Sequence, residues 1–218
     1  MHNKIDEFSE CRLCQIVKKF EEEREIQDTL IDQTNHFQWL PGLGAFIEGY
    51  SLIVSKKHVF NTGCLSVDII KELELFIIKI KKILKTIYKS SSIVFEHGSI
   101  GKDNYAGASI EHHHVHVFPV DIPLVPNILL NNFTRPEKII SINDLKKYNE
   151  NQIPYIYYSP SSGEHYVFEV PNLEPQYLRR VIAKKCNSTI YWDWRKDPFI
   201  ENIHSFVKKV RFLEKNNA

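Results

Sequence analysis

The sequence has few of the features that mark several protein classes. It contains only four cysteines in 218 residues, and their spacing does not suggest a disulfide framework. We therefore expect a reduced, cytoplasmic protein. Its formal net charge is only +1, which creates no global field toward a nucleic-acid polymer or anionic lipid. No apolar run approaches the roughly 18 residues that a membrane span needs. We therefore expect neither nucleic acid nor a membrane as a partner.

The amino-acid composition is typical of a globular protein. Hydrophobic residues make up 43% of the sequence and charged residues 25%, and we find no internal repeat. The length suits one domain with an extension. Because the composition changes after Pro119, we predict a first domain over residues 1–120 and a C-terminal extension over 121–218.

A long helix is the clearest predicted element of the first domain. Ser66 suits the N-cap position, and the helix should run to about Tyr88. Apolar residues recur there at three- and four-residue steps, as in a core-facing stripe: Ile69, Leu73, Phe76, Ile80, Leu84 and Ile87. A short helix over 12–24 and strands over 46–54, 93–96 and 112–118 complete the prediction. One long helix crossing an antiparallel sheet predicts an α+β fold.

The C-terminal extension should begin with an irregular connector, because turn-forming residues are frequent there. These residues are Pro123, Pro126, Asn127, Asn131, Asn132 and Pro136. Alternating strands over 155–159 and 165–170 predict a hairpin, and helices are predicted over 174–185 and 198–213. The extension is thus itself α+β.

Three histidines at alternate positions are the most informative feature of the chain. In a strand His112, His114 and His116 share one face, while His113 points the other way. Imidazoles titrate near neutral pH, so three on one strip can supply a nucleophile, a proton donor and an orienting partner. A metal-binding patch or a surface cluster is the other interpretation of the same spacing.

The surrounding residues resemble a known family. The segment Gly107-Ala-Ser-Ile-Glu-His-His-His-Val-His-Val-Phe is similar to the G-x-S-x-x-H-x-H-x-H-x-x motif of the histidine triad nucleotide hydrolases and transferases. Gly49-Tyr-Ser-Leu-Ile-Val-Ser-Lys-Lys-His58 resembles an upstream strand of that family, and Ile93-Val-Phe-Glu-His-Gly98 its penultimate strand. Cys11-Arg-Leu-Cys14 resembles the cysteine pair that opens many members. The resemblance covers roughly residues 8–120, in the family's order.

The resemblance implies a role for each residue of the motif. His114 would be the nucleophile and would form a phosphoramidate with the α-phosphate of a nucleotide. His116 would hold the phosphate or protonate the leaving group, with His112 beside them. Ser109 would contact phosphate, and Gly107 would allow close backbone approach. One transferase branch of the superfamily has glutamine at the position of His116, so the histidine here favours a hydrolase.

Two positions depart from the family's pattern. Members usually carry an acidic, ribose-binding residue some sixteen positions before the histidine that His58 matches, and Gly42 stands there instead. Glu96 stands where an asparagine is common near the phosphate. A carboxylate there would repel phosphate unless it were protonated or paired, for instance with His97 or Lys102.

The resemblance also implies a structural zinc site. Cys11, Cys14, His58 and His112 would form a Cys₂His₂ set, whose tetrahedral geometry and mixed ligands suit Zn²⁺. The alternative is that the two cysteines are ordinary thiols at the start of a helix.

The extension adds an arginine pair and a tryptophan pair. Arg179 or Arg180 could reach a phosphate, although such a pair also suits a solvated helix face. Trp192 and Trp194 could stack on a base or clamp the segment onto the sheet.

Three functions remain open at this point. The first is a hydrolase that cleaves a nucleoside-monophosphate linkage through a nucleotidyl-histidine. The second is a nucleotidyltransferase or dinucleoside polyphosphate phosphorylase, whose acceptor would bind at the extension. The third is a non-catalytic nucleotide sensor or scaffold. Because family members pair their sheets and long helices, we also expect a homodimer.

Overall fold

The computed structural model describes residues 11–101, 106–122, 136–170, 173–188 and 191–217. Of the predicted connector residues, all but Pro136 lie outside the described part, as does Lys102. The described residues form five helices: α1 Arg12–Lys18, α2 Val67–Tyr88, α3 Lys146–Glu150, α4 Tyr177–Lys185 and α5 Ile200–Asn217. They form eight strands: β1 Asp32–Gln33, β2 Phe37–Pro41, β3 Ser51–Ser55, β4 Ile93–Gly98, β5 His114–Phe118, β6 Glu137–Ile139, β7 Tyr155–Ser159 and β8 His165–Glu169.

The eight strands form one sheet in the order β1-β2-β3-β5-β4-β7-β8-β6. Each neighbouring pair is antiparallel. Strand β5 lies between β3 and β4, with His116 opposite Leu52 on one side and Phe95 on the other. The predicted α+β fold with an antiparallel sheet and one long helix is therefore confirmed.

Helix α2 begins and ends as its sequence predicts. Ser66 occupies the N-cap, although its hydroxyl makes no capping hydrogen bond, and Lys89 ends the helix with a left-handed φ of 54°. The buried face comprises Ile70, Leu73, Phe76, Ile77, Ile80 and Leu84. Ile69 and Ile87, which we expected in the stripe, lie at its margin and are partly buried. The core-facing stripe is thus rotated slightly from the predicted one.

Several predicted boundaries were wrong. Helix α1 ends at Lys18, because Lys19 is extended and a separate 3-10 turn follows at Glu21–Glu23. The strand predicted over 46–54 begins only at Ser51, after Gly49 with φ +88°. Strand β5, predicted over 112–118, begins only at His114, so His112 and His113 precede it. Strands β1, β2 and β6 were not predicted.

The sheet separates two apolar layers. On one face α2 packs on Val94, Val115 and Val117 of the central strands. On the other face α4 packs on Phe95 and Phe118 through Leu178 and Ile182. Helix α1 covers the β2–β3 end of that second face, where Leu13 and Ile16 contact Leu40 and Val54. Side chains of β5 that point to the second face therefore lie between α1 and α4.

The C-terminal region continues the sheet of the N-terminal region. Strand β7 pairs with β4 over five residue positions, and β7 and β8 form the predicted hairpin. Helices α4 and α5 begin a few residues later than predicted, at Tyr177 and Ile200. Within the described residues, every helix is either too short or too polar to cross a membrane.

Candidate active site and metal centre

Strand alternation places two of the three histidines in one cleft. His114 and His116 point to the α1 and α4 face of the sheet and line a shared cleft there. Their ring centroids lie 4.7 Å apart. His113 points to the other face, where its ring meets Phe37 and its Nε2 lies 3.0 Å from the Thr62 hydroxyl. His113 is a core residue, as its position in the strand indicates.

A backbone carbonyl fixes the tautomer of His114. Its Nδ1 lies 2.6 Å from the carbonyl oxygen of His112, which can only accept, so Nδ1 carries the proton. The unprotonated nitrogen of the neutral ring is then Nε2. Burial lowers the pKa of His114 below its ordinary value, which keeps the ring neutral near pH 7. A neutral imidazole with a free Nε2 lone pair is the form that attacks phosphorus.

Tyr50 orients His116 from beneath the cleft. The phenol oxygen lies 2.8 Å from His116 Nδ1. Burial raises the pKa of Tyr50, so the phenol keeps its proton and donates it to that nitrogen. His116 Nε2 then carries the ring proton, and it has no hydrogen-bond partner among the described residues. Burial holds the pKa of His116 well below its ordinary value, so this neutral tautomer persists.

Five further residues of the cleft wall come from well-separated parts of the chain. These residues are Arg12 of α1, Asp28, Ser109 and, from the C-terminal region, Arg179 and Trp194. Trp194 Nε1 donates to the Ser109 hydroxyl at 3.3 Å, and Arg12 donates to Asp28 at 3.0 Å. Ser109 therefore lines the same cleft as His114, its contact with phosphate stays a prediction, and the C-terminal region contributes directly to the cleft.

Arg179 reaches this cleft, whereas Arg180 does not. The Arg179 side chain is buried, and it donates from Nε to the Trp192 carbonyl and from Nη2 to the Gly44 carbonyl. Arg180 pairs with Glu174, and its guanidinium lies over the ring of Trp192. Each of the two interpretations of the arginine pair thus applies to one residue: Arg179 lines the cleft, and Arg180 lies on the outer face of the helix.

The structure explains why a glycine, and not an acidic residue, occupies position 42. A Cβ there would lie 2.3 Å from Cε1 of Tyr50, so any side chain would displace the ring that orients His116. The acidic ribose-binding residue of the family could not occupy this position while Tyr50 stays in place. The carboxylate that does line the cleft is Asp28, which is paired with Arg12 and Lys19.

Glu96 is not near the phosphate side of the sheet, which corrects our expectation from the sequence. Its carboxyl lies on the α2 face, where it accepts from the backbone and hydroxyl of Thr62 at 2.7 and 2.5 Å. Tyr155 donates to it at 3.1 Å. Burial raises the pKa of Glu96 to about 7. His97 does not pair with it, because His97 Nδ1 donates to the Ala106 carbonyl at 2.7 Å.

Gly107 does not line the cleft in this structure. Its φ of +79° is left-handed, and a Cβ there would meet Leu173 Cβ at 3.1 Å and His97 Nδ1 at 3.2 Å. Its carbonyl accepts from the Gln176 backbone at 2.8 Å. The observed role of Gly107 is to let the C-terminal segment approach the loop before β5, and its contact with phosphate stays a prediction.

The four expected metal ligands lie together at one end of the cleft strand. The ligand atoms of Cys11, Cys14, His58 and His112 lie within 4.8 Å of one another. Cys14 Sγ is 3.2 Å from His58 Nδ1, and both cysteine sulfurs are 3.4 Å from His112 Nδ1. Cys11 is the N-cap of α1 and Cys14 follows three residues later, so both face the same side of the helix.

The chemistry of this cluster fits a zinc ion. His112 Nε2 lies 2.8 Å from the Ser55 carbonyl, so Nε2 carries the proton and the Nδ1 lone pair faces the sulfurs. A ligating histidine that donates its other N–H to a carbonyl is the usual arrangement around zinc. Burial lowers the pKa values of His112, to about 4, and of His58, which favours the neutral, ligating form of both rings.

Nothing in the sequence indicated that Tyr50 and Asp28 would line the cleft. Tyr50 lies within the quoted upstream motif, but its spacing does not show that its hydroxyl meets His116, because the contact joins residues 66 positions apart. Asp28 lies in an irregular segment before the sheet. Arg179 and Trp194 were each noted as alternatives, and only the fold shows that they meet Ser109 and His116.

No family model matches this chain, and no curated protein matches it. Solved structures do. A hypothetical histidine triad nucleotide-binding protein from Sulfolobus tokodaii is 24% identical, with 50% of this chain and 68% of that chain covered at a TM-score of 0.41. A member of the HIT family from Bacillus subtilis is 18% identical, covering 50% of this chain and 72% of that one at a TM-score of 0.43.

A third match is a Zn-bound histidine triad family protein from Mycobacterium smegmatis. It is 19% identical, covering 50% of this chain and 74% of that chain at a TM-score of 0.42. All three of these solved structures are named as histidine triad or HIT family proteins, the family that the motif leading into β5 also resembles.

Proposed function

We propose that this protein is a hydrolase that cleaves a nucleoside-monophosphate linkage, a phosphoanhydride or a phosphoramidate, through a covalent intermediate on His114. The observation that carries the proposal is the tautomer of His114: its Nδ1 proton is held by the His112 carbonyl at 2.6 Å, and its other nitrogen is left for the cleft. The ring is thereby oriented and kept nucleophilic before substrate arrives.

The reaction has two balanced steps. In the first, a bond forms between His114 Nε2 and the α-phosphorus, and the bond from phosphorus to the leaving group breaks with its electron pair on that group; an amine leaving group also takes up one proton from solvent. In the second, water attacks the phosphorus, the P–N bond breaks with its electron pair on Nε2, one proton of the water goes to solvent, and the nucleoside monophosphate leaves. His116 Nε2–H can donate to a phosphoryl oxygen in both steps, because Tyr50 holds the opposite nitrogen at 2.8 Å. Ser109 lines the same cleft, and its hydroxyl can supply a second hydrogen-bond donor to the phosphate.

We also propose that Cys11, Cys14, His58 and His112 bind one Zn²⁺ with all four ligands from the chain. Such an ion would be structural, since a fully ligated site leaves no position for substrate. The His112 carbonyl is the acceptor that orients His114, so whatever fixes His112 also fixes the nucleophile. The residues of the metal site act on the reaction by positioning, and the chemistry belongs to the histidines of β5.

The test is turnover by purified protein on adenosine phosphoramidate and on dinucleoside polyphosphates. Adenosine monophosphate should be released, and His114→Ala should lose at least about 10³-fold in rate, as expected for a missing covalent nucleophile. A matched control is His204→Ala, which changes an exposed histidine of α5. Mass spectrometry of a quenched reaction should find the nucleotidyl adduct on His114. Equal rates in wild type and His114→Ala would refute the assignment.

Two other outcomes of this test would indicate a different function. Formation of a nucleoside diphosphate that requires added phosphate would identify a phosphorylase, because phosphate would then replace water as the acceptor. Nucleotide affinity without turnover or adduct would identify a binding protein.

A further inference from the structure

Arg179 carries a buried positive charge that no carboxylate in the described part of the chain neutralises. Its side chain is 2% exposed. Its geometrically well-formed hydrogen bonds go to the neutral carbonyls of Trp192 and Gly44, at 3.0 and 2.7 Å. The guanidinium also interacts with the Tyr50 hydroxyl, where its charge opposes the rise in pKa that burial causes. Aromatic rings cover the guanidinium, with the centroid of Tyr50 at 4.9 Å and that of Phe46 at 5.3 Å. A guanidinium stays charged even when buried, and a buried charge without a counter-charge is costly.

One nitrogen of this guanidinium is still available to a ligand. Nη1 is buried and has no hydrogen-bond partner among the residues that the structure describes. Arg179 lines the same cleft as His114 and His116. The unpartnered Nε2 of His116 belongs to that cleft as well. Two donors without a hydrogen-bond partner, and one positive charge without a carboxylate, therefore belong to residues that line the cleft of the proposed nucleophile.

The position of Arg179 within the cleft indicates which part of a substrate it would meet. Its guanidinium lies over the Tyr50 ring, and the Tyr50 hydroxyl bonds His116. Arg179 is therefore on the His116 side of the cleft, away from the four sulfur and nitrogen atoms beside His112. An attacking and a leaving group lie on opposite sides of the phosphorus, and we place the leaving group toward the His116 and Arg179 side of the cleft.

We propose that Arg179 binds a phosphate of the leaving group, so that the preferred substrates are nucleotides whose α-phosphate is joined to a further phosphate. Arginine binds phosphate through paired N–H groups, and Nη1 supplies a donor that the fold leaves unused. The inference rests on the proposed function for the identity of the α-phosphate site. It adds the substrate class, because a phosphoramidate with a small amine leaving group would leave Arg179 unpaired.

The chemistry of the departing group agrees with this assignment. When the P–O bond breaks, its electron pair stays on the bridging oxygen of the departing phosphate, whose negative charge Arg179 stabilises. A phosphate can leave without taking a proton, whereas an amine must gain one. The imidazoles around the cleft are neutral because burial lowers the pKa values of His97 and His116, so strong proton donors are scarce there.

The alternative is that Arg179 is only a clamp that ties the C-terminal segment to the loop after β2. A binding experiment separates the two, using adenosine monophosphate and the non-hydrolysable α,β-methylene analogue of adenosine diphosphate. We expect wild type to bind the diphosphate analogue at least about 10-fold more tightly, since a charge-assisted hydrogen bond contributes a factor of this size or more. Arg179→Met should abolish the preference while keeping an unbranched side chain against Tyr50.

Arg180→Met is the matched control, because Arg180 lies on the same helix and pairs with Glu174 outside the cleft. It should keep the preference. Thermal unfolding of each variant shows whether the clamp is lost. A change that weakens nucleotide binding in general leaves the ratio of the two affinities unaffected, since both ligands share the nucleoside and the α-phosphate. Arg179→Gln, which can still donate to a carbonyl but carries no charge, serves as a second neutral variant.

The outcomes distinguish this inference from the proposed function. Wild type that binds both nucleotides equally, or an Arg179→Met variant that weakens both equally, overturns the inference even if turnover is observed. A preference that Arg179 alone controls supports it even if no turnover is found, and the absence of turnover would then count against the hydrolase.

Discussion

The Tyr50 hydroxyl is hydrogen-bonded to His116, the residue that we propose to hold the phosphate. It bonds His116 Nδ1 at 2.8 Å, and its ring stacks on Phe118 at 4.1 Å. Tyr50→Phe should keep the stacking and lose the hydrogen bond, so that the proton of His116 is no longer fixed on Nε2. We expect kcat to fall by about 10-fold with KM little changed, as for loss of about 1.4 kcal/mol of transition-state stabilisation.

The comparison for Tyr50→Phe is Tyr88→Phe, which removes the hydroxyl of an α2 residue that donates to Glu48 and does not line the cleft. It should leave kcat unchanged. If both variants lower kcat equally, the hydroxyl of Tyr50 has no particular role in orienting His116.

Glu96 should make stability depend on pH. Burial raises its pKa from 4.5 to about 7, so the folded state holds this proton more tightly than the unfolded state. Its contribution to the free energy of unfolding is full below about pH 4.5 and is lost as the pH rises through about 7, a change of about 3 kcal/mol. Glu96→Gln, which is uncharged at every pH, should not show this loss.

Urea unfolding of wild type and Glu96→Gln at pH 5 and pH 8 measures the effect. The difference between the two proteins isolates Glu96, because the buried histidines are common to both. Glu150→Gln, at an exposed position, provides the control. A constant difference between wild type and Glu96→Gln at both pH values would contradict the prediction.

Single residues show clearly where the sequence is informative about the site and where it is not. The strand alternation that places His114 and His116 together has a period of two and can be read directly from the chain. The side of the sheet that Glu96 occupies follows from the register of β4 with β5, which the sequence does not specify. Arg179 meets the cleft only because residues 135 positions apart, Gly44 and Arg179, come into hydrogen-bond contact.

At the scale of elements, the candidate metal ligands Cys11, Cys14, His58 and His112 join α1, the turn after β3 and the residues just before β5. If zinc is bound there, Cys11→Ser should lower zinc content and the temperature of unfolding together, while the chemical step suffers only through misplacement of His114. Metal analysis and thermal unfolding of protein never exposed to chelator measure both quantities.

Cys64→Ser is the control for that variant, because Cys64 is exposed and a serine can keep its hydrogen bond to Asn149. It should retain wild-type zinc. Well under one zinc per chain in the wild type would refute the metal site and leave the cleft histidines unaffected.

The predicted elements differ in accuracy for physical reasons. Helix α2 was predicted correctly because its apolar residues repeat with the helical period over 22 residues. Strand β2 was missed because all five of its residues are buried, so Phe-Gln-Trp-Leu-Pro shows no alternation, and it ends in a proline. Strand β3 was predicted too long because Gly49, not the apolar pattern, sets its start.

At the scale of the whole molecule, the homodimer stays a prediction, and the structure changes which surface it would use. The outer edge of β4 is paired with β7 of the same chain. Helix α2 still presents Leu75 and Ile78, which are 69% and 50% exposed. Light scattering at micromolar concentration should give twice the chain mass of 25.6 kDa, and Leu75→Glu with Ile78→Glu should halve it. A wild type that scatters as a monomer would show the prediction to be wrong.

The pairing of β4 with β7 also has a consequence during synthesis. Residues 93–98 emerge from the ribosome long before residues 155–159, so the nascent chain carries an unpaired strand edge until some sixty further residues are made. Such an edge is a template for association between chains. Translation that pauses or stops within this interval should therefore yield aggregates, and co-translational chaperones should be needed most there.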